Sequence, residues 1–249
     1  MTSKKNTGIS GSTLKYIALI TMLIDHISAV LLEGGLLPLI SSAVLAGHSF
    51  DYLPADFDMW SNIAWFMRLI GRVSFPLYCF LLVEGFLHTK NVRRYALRLG
   101  LLAVLSEIPY DLSRFDLVFD LQMQNVYFTL LIGLCTIWLL KSFDDLPPAQ
   151  APFKYLVILI GAMSAHFLQT DYGAIGILLI VLLYMFRENK KQQSIIGAVC
   201  MLWEYTAPVA FLLTYHYNGS RGRQLPKWFF YGFYPVHLLV LAGIRMVLF

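Results

Sequence analysis

The chain has 249 residues, of which 58% are hydrophobic and only 14% charged, with 19 Lys and Arg against 15 Asp and Glu. Soluble domains carry about 25% charged residues, so this composition excludes an ordinary soluble globular protein and describes a multi-span protein of the lipid bilayer. The net charge of +4 makes no case for nucleic acid as a partner, because the positive residues gather in particular connections, where they signal orientation.

Thr2 to Ser12 is polar and rich in Gly, Ser, Thr and Lys, and residues 1–13 read as a flexible N-terminal tail ahead of one transmembrane domain, 14–249. Lys4 and Lys5 precede an apolar run, as in a signal peptide. A cleaved apolar region is shorter and would not carry Asp25 and His26 at its middle, so the run reads as a retained first helix. An unpaired Asp at mid-membrane costs about 3 kcal/mol, so this pair needs partners or a task.

A ruler of about 20 apolar residues yields about eight spans, near 14–33, 62–87, 93–112, 125–141, 153–169, 172–187, 194–216 and 228–248. The predicted fold is an all-α polytopic helical bundle. Lys4, Lys5 and Lys15, then Lys90, Arg93, Arg94 and Arg98, then Arg187, Lys190 and Lys191 mark the cytoplasmic ends, with the N-terminus inside. The acidic connections with Asp51, Asp56 and Asp58 and with Asp116 and Asp120 face outward. The Leu36–Leu45 run contains Pro38, is too short to span, and reads as an outer interfacial or re-entrant piece. Glu204 and Pro208 interrupt the seventh span, which either crosses, leaving Arg221, Arg223 and Lys227 outside, or is re-entrant and returns them to the cytoplasm. Cys79, Cys135 and Cys200 lie in apolar runs without CxxC spacing and read as small hydrophobes, and no metal is expected.

The polar residues inside the spans converge on one depth. Arg68 and Arg72 are four apart on one face, Glu107 and Asp111 share a face near Pro109, Asn125 and Thr129 share the outer start of the fourth span, and His237 lies one turn beyond Tyr234. Their summed cost of about 10 kcal/mol rivals the net stability of a domain, so they cannot all face lipid. The consistent arrangement pairs Asp25 or Glu107 with Arg68 or Arg72 in a polar cavity. Asp25 and His26 point about 100° apart, so Asp25 holds an arginine rather than orienting its neighbour. Structural ion pairs between helices are the competing account of the same charges, and interhelical hydrogen bonding that of the histidines.

Taken in order, LKYIALITMLIDHISAVLL, RLIGRVSFPLYCFLLVEGFLHTKNVRRYALRL, SEIPYDL, NVYFTLLIGL, DYGAIGILLI, YNGSRG and FFYGFYPVHLLVL closely resemble the TraX family of membrane proteins over nearly the whole chain. A helix-borne His with paired membrane arginines is also distantly similar to the transmembrane acyltransferases that modify cell-surface sugars. The resemblance implies a bacterial inner-membrane acetyltransferase. Acetyl-CoA is then the cosubstrate, and the acceptor an amine or hydroxyl on a pilin-like peptide or a cell-envelope glycan. Carried over by position, the family pattern falls on Asp25, His26, Arg68, Arg72, Glu84, Glu107, Pro109, Asp111, Asn125, Asp171, Asn218, Gly219 and His237.

Acyl transfer needs a base for the attacking group and positive or hydrogen-bonding groups for the oxyanion. The reading assigns His26 as general base, with His237 in reserve. Arg68 and Arg72 act at the oxyanion or pair with acids, and Asp25 and Glu107 support them. Arg93, Arg94 and Arg221 hold the nucleotide, with Asn218 and Gly219 alongside, while Asp111, Asn125 and Asp171 face the acceptor. Two rivals stand beside this: a transporter or channel using the same buried charges, and a non-catalytic partner in pilus or envelope assembly.

Overall fold

The computed structural model describes residues 8–46, 55–143, 152–223 and 225–249, and the expected acidic residue Asp51 lies outside these. The described residues form helices, with two isolated bridges, Ile9 to Tyr217 and Gln124 to Thr170. The elements are α1 Gly11–Ile27, a π-helical segment Ser28–Leu36, α2 Leu37–Ala46, α3 Ala55–Gly71, α4 Ser74–His88, α5 Val92–Phe115, α6 Val126–Lys141, α7 Pro152–Phe167, α8 Gly173–Met185, α9 Lys190–Cys200, a 3₁₀ turn Leu202–Glu204, α10 Val209–Tyr215 and α11 Lys227–Leu248.

Of the expected N-terminal tail, residues 8–13 are tied down. Ile9 N–H donates to the His216 carbonyl at 2.9 Å, and those of Gly11 and Ser12 donate to Ser220 and Arg221 at 2.9 and 3.0 Å. These contacts satisfy N–H groups that open the first helix and have no partner within it, and the Ser10 hydroxyl caps Thr13. The Leu36–Leu45 run is not a separate interfacial piece: α1 runs through the π segment into α2, giving one apolar helix over Gly11–Ser42. At its far end Phe249 fills the space beside Gly35. Arg245 closes the neighbouring helix by donating to the Ser113 and Leu112 carbonyls at 2.9 and 2.8 Å and pairing with Asp116.

The second expected span is two helices, α3 and α4, broken at Gly71–Val73. Arg72 N–H still reaches the Arg68 carbonyl at 3.1 Å, but Val73 N–H turns to Ile70 at 3.4 Å. The Leu69 carbonyl thereby loses its helical donor, and the Thr206 hydroxyl supplies one from the link between α9 and α10. Beside it Arg72 reaches the Glu204 carboxylate through Nε at 2.9 Å and Nη1 at 3.4 Å, a two-pronged contact.

The seventh expected span is a hairpin. Its helices α9 and α10 have 11 and 7 residues, about 16 and 10 Å, far short of a membrane. They pack on each other, and Lys190 Nζ donates to the Tyr217 carbonyl at 2.7 Å, so the hairpin ends where it began. The re-entrant alternative is therefore the one observed, and Arg221 and Arg223 share an end of the bundle with Lys190 and Lys191.

The core lies around α8, which packs against α4, α6, α7 and α9. Leu77, Leu134, Ile137, Ile177, Ile180 and Leu183 are fully buried there. Close approach is possible because Gly133 leaves room for the Ile180 side chain. Cys79 is buried and Cys135 and Cys200 are partly so, all three as free thiols. Among the described residues, three helical stretches are long and apolar enough to cross a membrane: Gly11–Ser42, Asp56–His88, which takes in both α3 and α4, and Trp228–Leu248. Val126–Lys141, Pro152–Phe167 and Gly173–Met185 are apolar but shorter. Length alone thus does not reproduce a count of eight.

The tie between the broken helix and the hairpin tip makes a measurable demand. Glu204→Gln leaves Arg72 without its counter-charge and is expected to cost about 3 kcal/mol. The double variant Arg72→Met/Glu204→Gln costs less than Glu204→Gln alone, a difference that thermal unfolding in detergent reads directly.

Candidate functional site

A cavity of ≈ 550 Å³ lies among α1, α4, α5, α6 and α11. Its long wall is one face of α4: Ser74, Tyr78, Leu81, Leu82 and Gly85 line it at helical spacing, and Thr89 continues the row just past the helix end. Fifteen residues at 1.5 Å each make that wall about 22 Å long. Lys15, Lys90, Arg94, Arg98 and Arg221 surround one end. Asp25, His26, Gly71, Asp171 and Tyr172 form the other. The cavity is therefore cationic at its mouth and carries two carboxyl groups and an imidazole at its floor.

At the floor α1 and α11 bring two histidines together. His26 Nδ1 lies 2.6 Å from His237 Nε2, and His237 Nδ1 lies 2.6 Å from the carbonyl of Phe233, one turn back on α11. A carbonyl only accepts, so His237 Nδ1 carries a proton and, in the neutral ring, its Nε2 is the acceptor. His26 Nδ1–H is then the donor, and the network assigns the free lone pair to His26 Nε2. The rings are nearly coplanar, 12° apart with centroids 4.9 Å distant. That separation is what two imidazoles joined edge to edge through nitrogen require, so the lone pair and the N–H share a plane. Tyr234 stands edge-on to both rings at 5.8 Å, with Tyr127 against it at 4.9 Å. His26 lines the cavity, whereas His237 is buried behind it.

Asp25 also lines the cavity. One of its oxygens accepts from Arg68, whose Nε lies 3.5 Å from Glu33. The other, Oδ1, is buried and has no hydrogen-bond partner among the described residues. It rests against Gly71, where a Cβ would be driven into the carboxylate, so the glycine at the helix break makes room for the acid.

The expected pairing of acids with arginines holds for Asp25 and Arg68, while Arg72 goes to Glu204. Glu107 pairs with no arginine: it accepts from Asn125 Nδ2 at 2.6 Å and Asn125 N–H at 3.3 Å. Asn125 also donates to the Ala103 carbonyl at 2.8 Å and caps α6. Asp111 accepts from Asp120 N–H at 2.8 Å. None of Arg68, Arg72, Glu107, Asp111 and Asn125 lines the cavity. Asp171 does; its N–H donates to Gln124 and its carbonyl accepts from Thr129. Asn218 and the left-handed Gly219 form the turn that holds Ile9 and Ser220 and leads into Arg221. Arg94 and Arg221 stand at the mouth, and Arg93 is exposed away from it.

Sequence reasoning read Lys15 and Arg98 only as orientation residues and gave the tyrosines that line the cavity no chemical role. Arg94 and Arg98 are four apart and share the face of α5 that meets the cavity, a spacing that separates them from Arg93. The linking of His26 to His237 across 211 positions left no local signal.

With this geometry in place, comparison with known proteins is informative. A curated relative, "Probable fimbrial assembly protein FimC, serogroup H1" of Dichelobacter nodosus, is 29% identical over 273 residues, covering 98% of this chain and 99% of its own length. No solved structure matches significantly. The sequence model of the family described as TraX protein matches residues 10–245, and the chain belongs to the TraX family.

Proposed function

We propose that the protein is a multi-pass acetyltransferase of the bacterial inner membrane. On this reading it moves an acetyl group from cytoplasmic acetyl-CoA to an amine or hydroxyl presented at the outer side, with a pilin-like N-terminus as the leading acceptor. The observation that carries the reading is the cavity that joins five cationic residues to His26 along one face of α4. The basic end takes the cytoplasmic side by the positive-inside rule. Its charges suit the phosphates of a nucleotide, and a wall of about 22 Å suits an extended pantetheine arm with its thioester at His26. Membership of the TraX family and the fimbrial assembly role in the relative's name favour an acceptor connected with pili.

In the reaction, the acceptor nitrogen or oxygen attacks the acetyl carbonyl and gives its proton to His26 Nε2. The tetrahedral intermediate collapses, the carbon–sulfur bond breaks, and the leaving thiolate takes the proton from His26. The products are the acetylated acceptor and free CoA. Lining tyrosine hydroxyls are donors suited to the oxyanion. Arg68 and Arg72, each held by a carboxylate, fix the floor rather than touch the carbonyl.

A transporter has one observation in its favour, the meeting of a broken helix with a re-entrant hairpin at Arg72 and Glu204. It predicts flux in proteoliposomes without consumption of acetyl-CoA.

Purified protein is expected to transfer label from acetyl-CoA to an amine-bearing acceptor and to gain thermal stability on binding acetyl-CoA. His26→Ala abolishes transfer while retaining the unfolding temperature, and full activity in that variant removes His26 from the chemistry. Reversing charge at the mouth with Arg94→Glu/Arg221→Glu raises KM for acetyl-CoA at least tenfold with little change in kcat. A loss confined to kcat would separate those residues from the donor.

A further inference from the structure

We infer, resting on the acetyltransferase reading for the identity of the ligand, that residues 9–12 and Gly222 form a clasp that positions Arg221 at the cationic mouth. The clasp sets affinity for the acetyl donor and takes no part in the chemistry at His26. Of the five mouth cations, Lys15, Arg94 and Arg98 ride on helices, and Lys90 sits in the short corner between α4 and α5. Arg221 instead lies in the long link 216–226 between α10 and α11. A cation on a loose link has to be ordered when its ligand arrives, and that ordering lowers affinity.

Main-chain bonds join the two stretches along their length. Ile9 is held twice: its N–H donates to the His216 carbonyl at 2.9 Å and its carbonyl accepts from Asn218 N–H at 3.0 Å, a parallel bridge to Tyr217. Asn218 Nδ2 also donates to the Gly8 carbonyl at 3.2 Å. Further along, the Ser220 and Arg221 carbonyls accept from Gly11 and Ser12 N–H, so the backbone of Arg221 is tied to the first turn of α1. Just beyond, Tyr16 Oη accepts from Leu225 N–H at 3.2 Å. Lys15, one turn after Gly11, lines the same mouth and lies over the Phe230 ring at 5.4 Å. The clasp therefore seats Arg221 at a mouth where the helix already fixes another cation.

Capping of α1 explains only part of this. It requires acceptors for the Gly11 and Ser12 N–H groups, but neither the bridge through Ile9, which precedes the helix, nor the fit at Gly222. That glycine has φ +68°, and a Cβ there would be driven into the Ser10 and Ser12 hydroxyls. The two hydroxyls are hydrogen-bonded to each other at 2.9 Å, and Ser10 is held as the cap of Thr13. Turning either aside gives up a bond. A residue without a side chain lets the link pass over them in register, one position after Arg221. None of Ile9, Ser10, Gly11, Ser12 and Gly222 lines the cavity. Their influence on a bound donor therefore passes through the arginine they place.

The test uses full-length protein purified in detergent, with hydrogen exchange reporting the clasp and steady-state transfer from acetyl-CoA reporting the site. The variants are Gly222→Ala and, separately, Ile9→Pro, which removes the N–H given to His216. Both are expected to speed exchange of the Gly11 and Ser12 amides and to raise KM for acetyl-CoA about tenfold, with kcat within about twofold of wild type. Calorimetric titration with CoA loses affinity by the same factor. Arg221→Ala also raises KM, and adding Gly222→Ala to it brings no further rise, whereas adding Gly222→Ala to Arg94→Ala multiplies the two effects. Faster exchange with an unchanged KM overturns the proposal. So do amides that stay protected in both variants, a loss confined to kcat, or a Gly222→Ala effect undiminished in the Arg221→Ala background. If one variant does not fold, the other decides. Wild type that neither binds CoA nor transfers acetyl removes the acetyltransferase reading and this proposal with it; an unchanged KM in a variant of an active wild type removes the clasp alone.

Discussion

The structure depends on the rule that a polar group inside hydrocarbon must find a partner within the protein. Breaking a membrane helix at Gly71–Val73 releases the Leu69 carbonyl and places Arg72 at the same depth. Neither can be left to lipid. The hairpin of α9 and α10 answers both at its tip, with the Thr206 hydroxyl for the carbonyl and the Glu204 carboxylate for the guanidinium. The hairpin is too short to cross and is held in place by the defect it repairs. Its return to its starting end carries the 216–221 segment to the first helix, where Ser220 and Arg221 receive the opening N–H groups.

The same break shapes the site. Gly71 vacates the volume that the Asp25 carboxylate occupies, and Arg68, one turn earlier on α3, holds that carboxylate in place. One turn of broken helix therefore sets the floor of the cavity on one side. On the other side α11 supplies His237, whose ring is fixed by the Phe233 carbonyl and in turn fixes His26. The dyad needs no charged partner to settle its tautomers; a backbone carbonyl does it. In a low-dielectric setting a neutral orienting group avoids the cost of burying a further ion.

Much of this was legible in the sequence. The importance of the Asp25–His26 interruption, the pairing of Asp25 with an arginine and the re-entrant alternative for 194–216 follow from what polar groups cost in a membrane, and that cost is visible in composition. The break at Gly71 was less visible, because Arg68 and Arg72 at helical spacing look like one continuous face. The partner of Arg72 was hidden for a related reason: Glu204 read as an interruption of its own span, and only the fold brings two interruptions together. The assignment of Glu107 to Asn125 instead of to an arginine turns on relative helix heights, which hydropathy does not encode. Residues 8–13 of the N-terminal tail, read as free because the tail is polar, are docked because helix N–H groups and a turn at Asn218 want the same bonds.

The π-helical segment Ser28–Leu36 has its own consequence. Arg68 is gripped by Asp25, just ahead of that segment, and by Glu33, within it. A π turn carries an extra residue relative to an α turn, so the two acids meet one guanidinium only because the helix holds surplus length between them. Removing a single residue there would rotate everything beyond it out of phase, including the glycines that receive Arg245 and Phe249. The segment behaves as a phase shifter. It lets the first half of a long helix serve the cavity and the second half serve as the anchorage for α11, two angular demands that an uninterrupted α-helix would have to trade against each other.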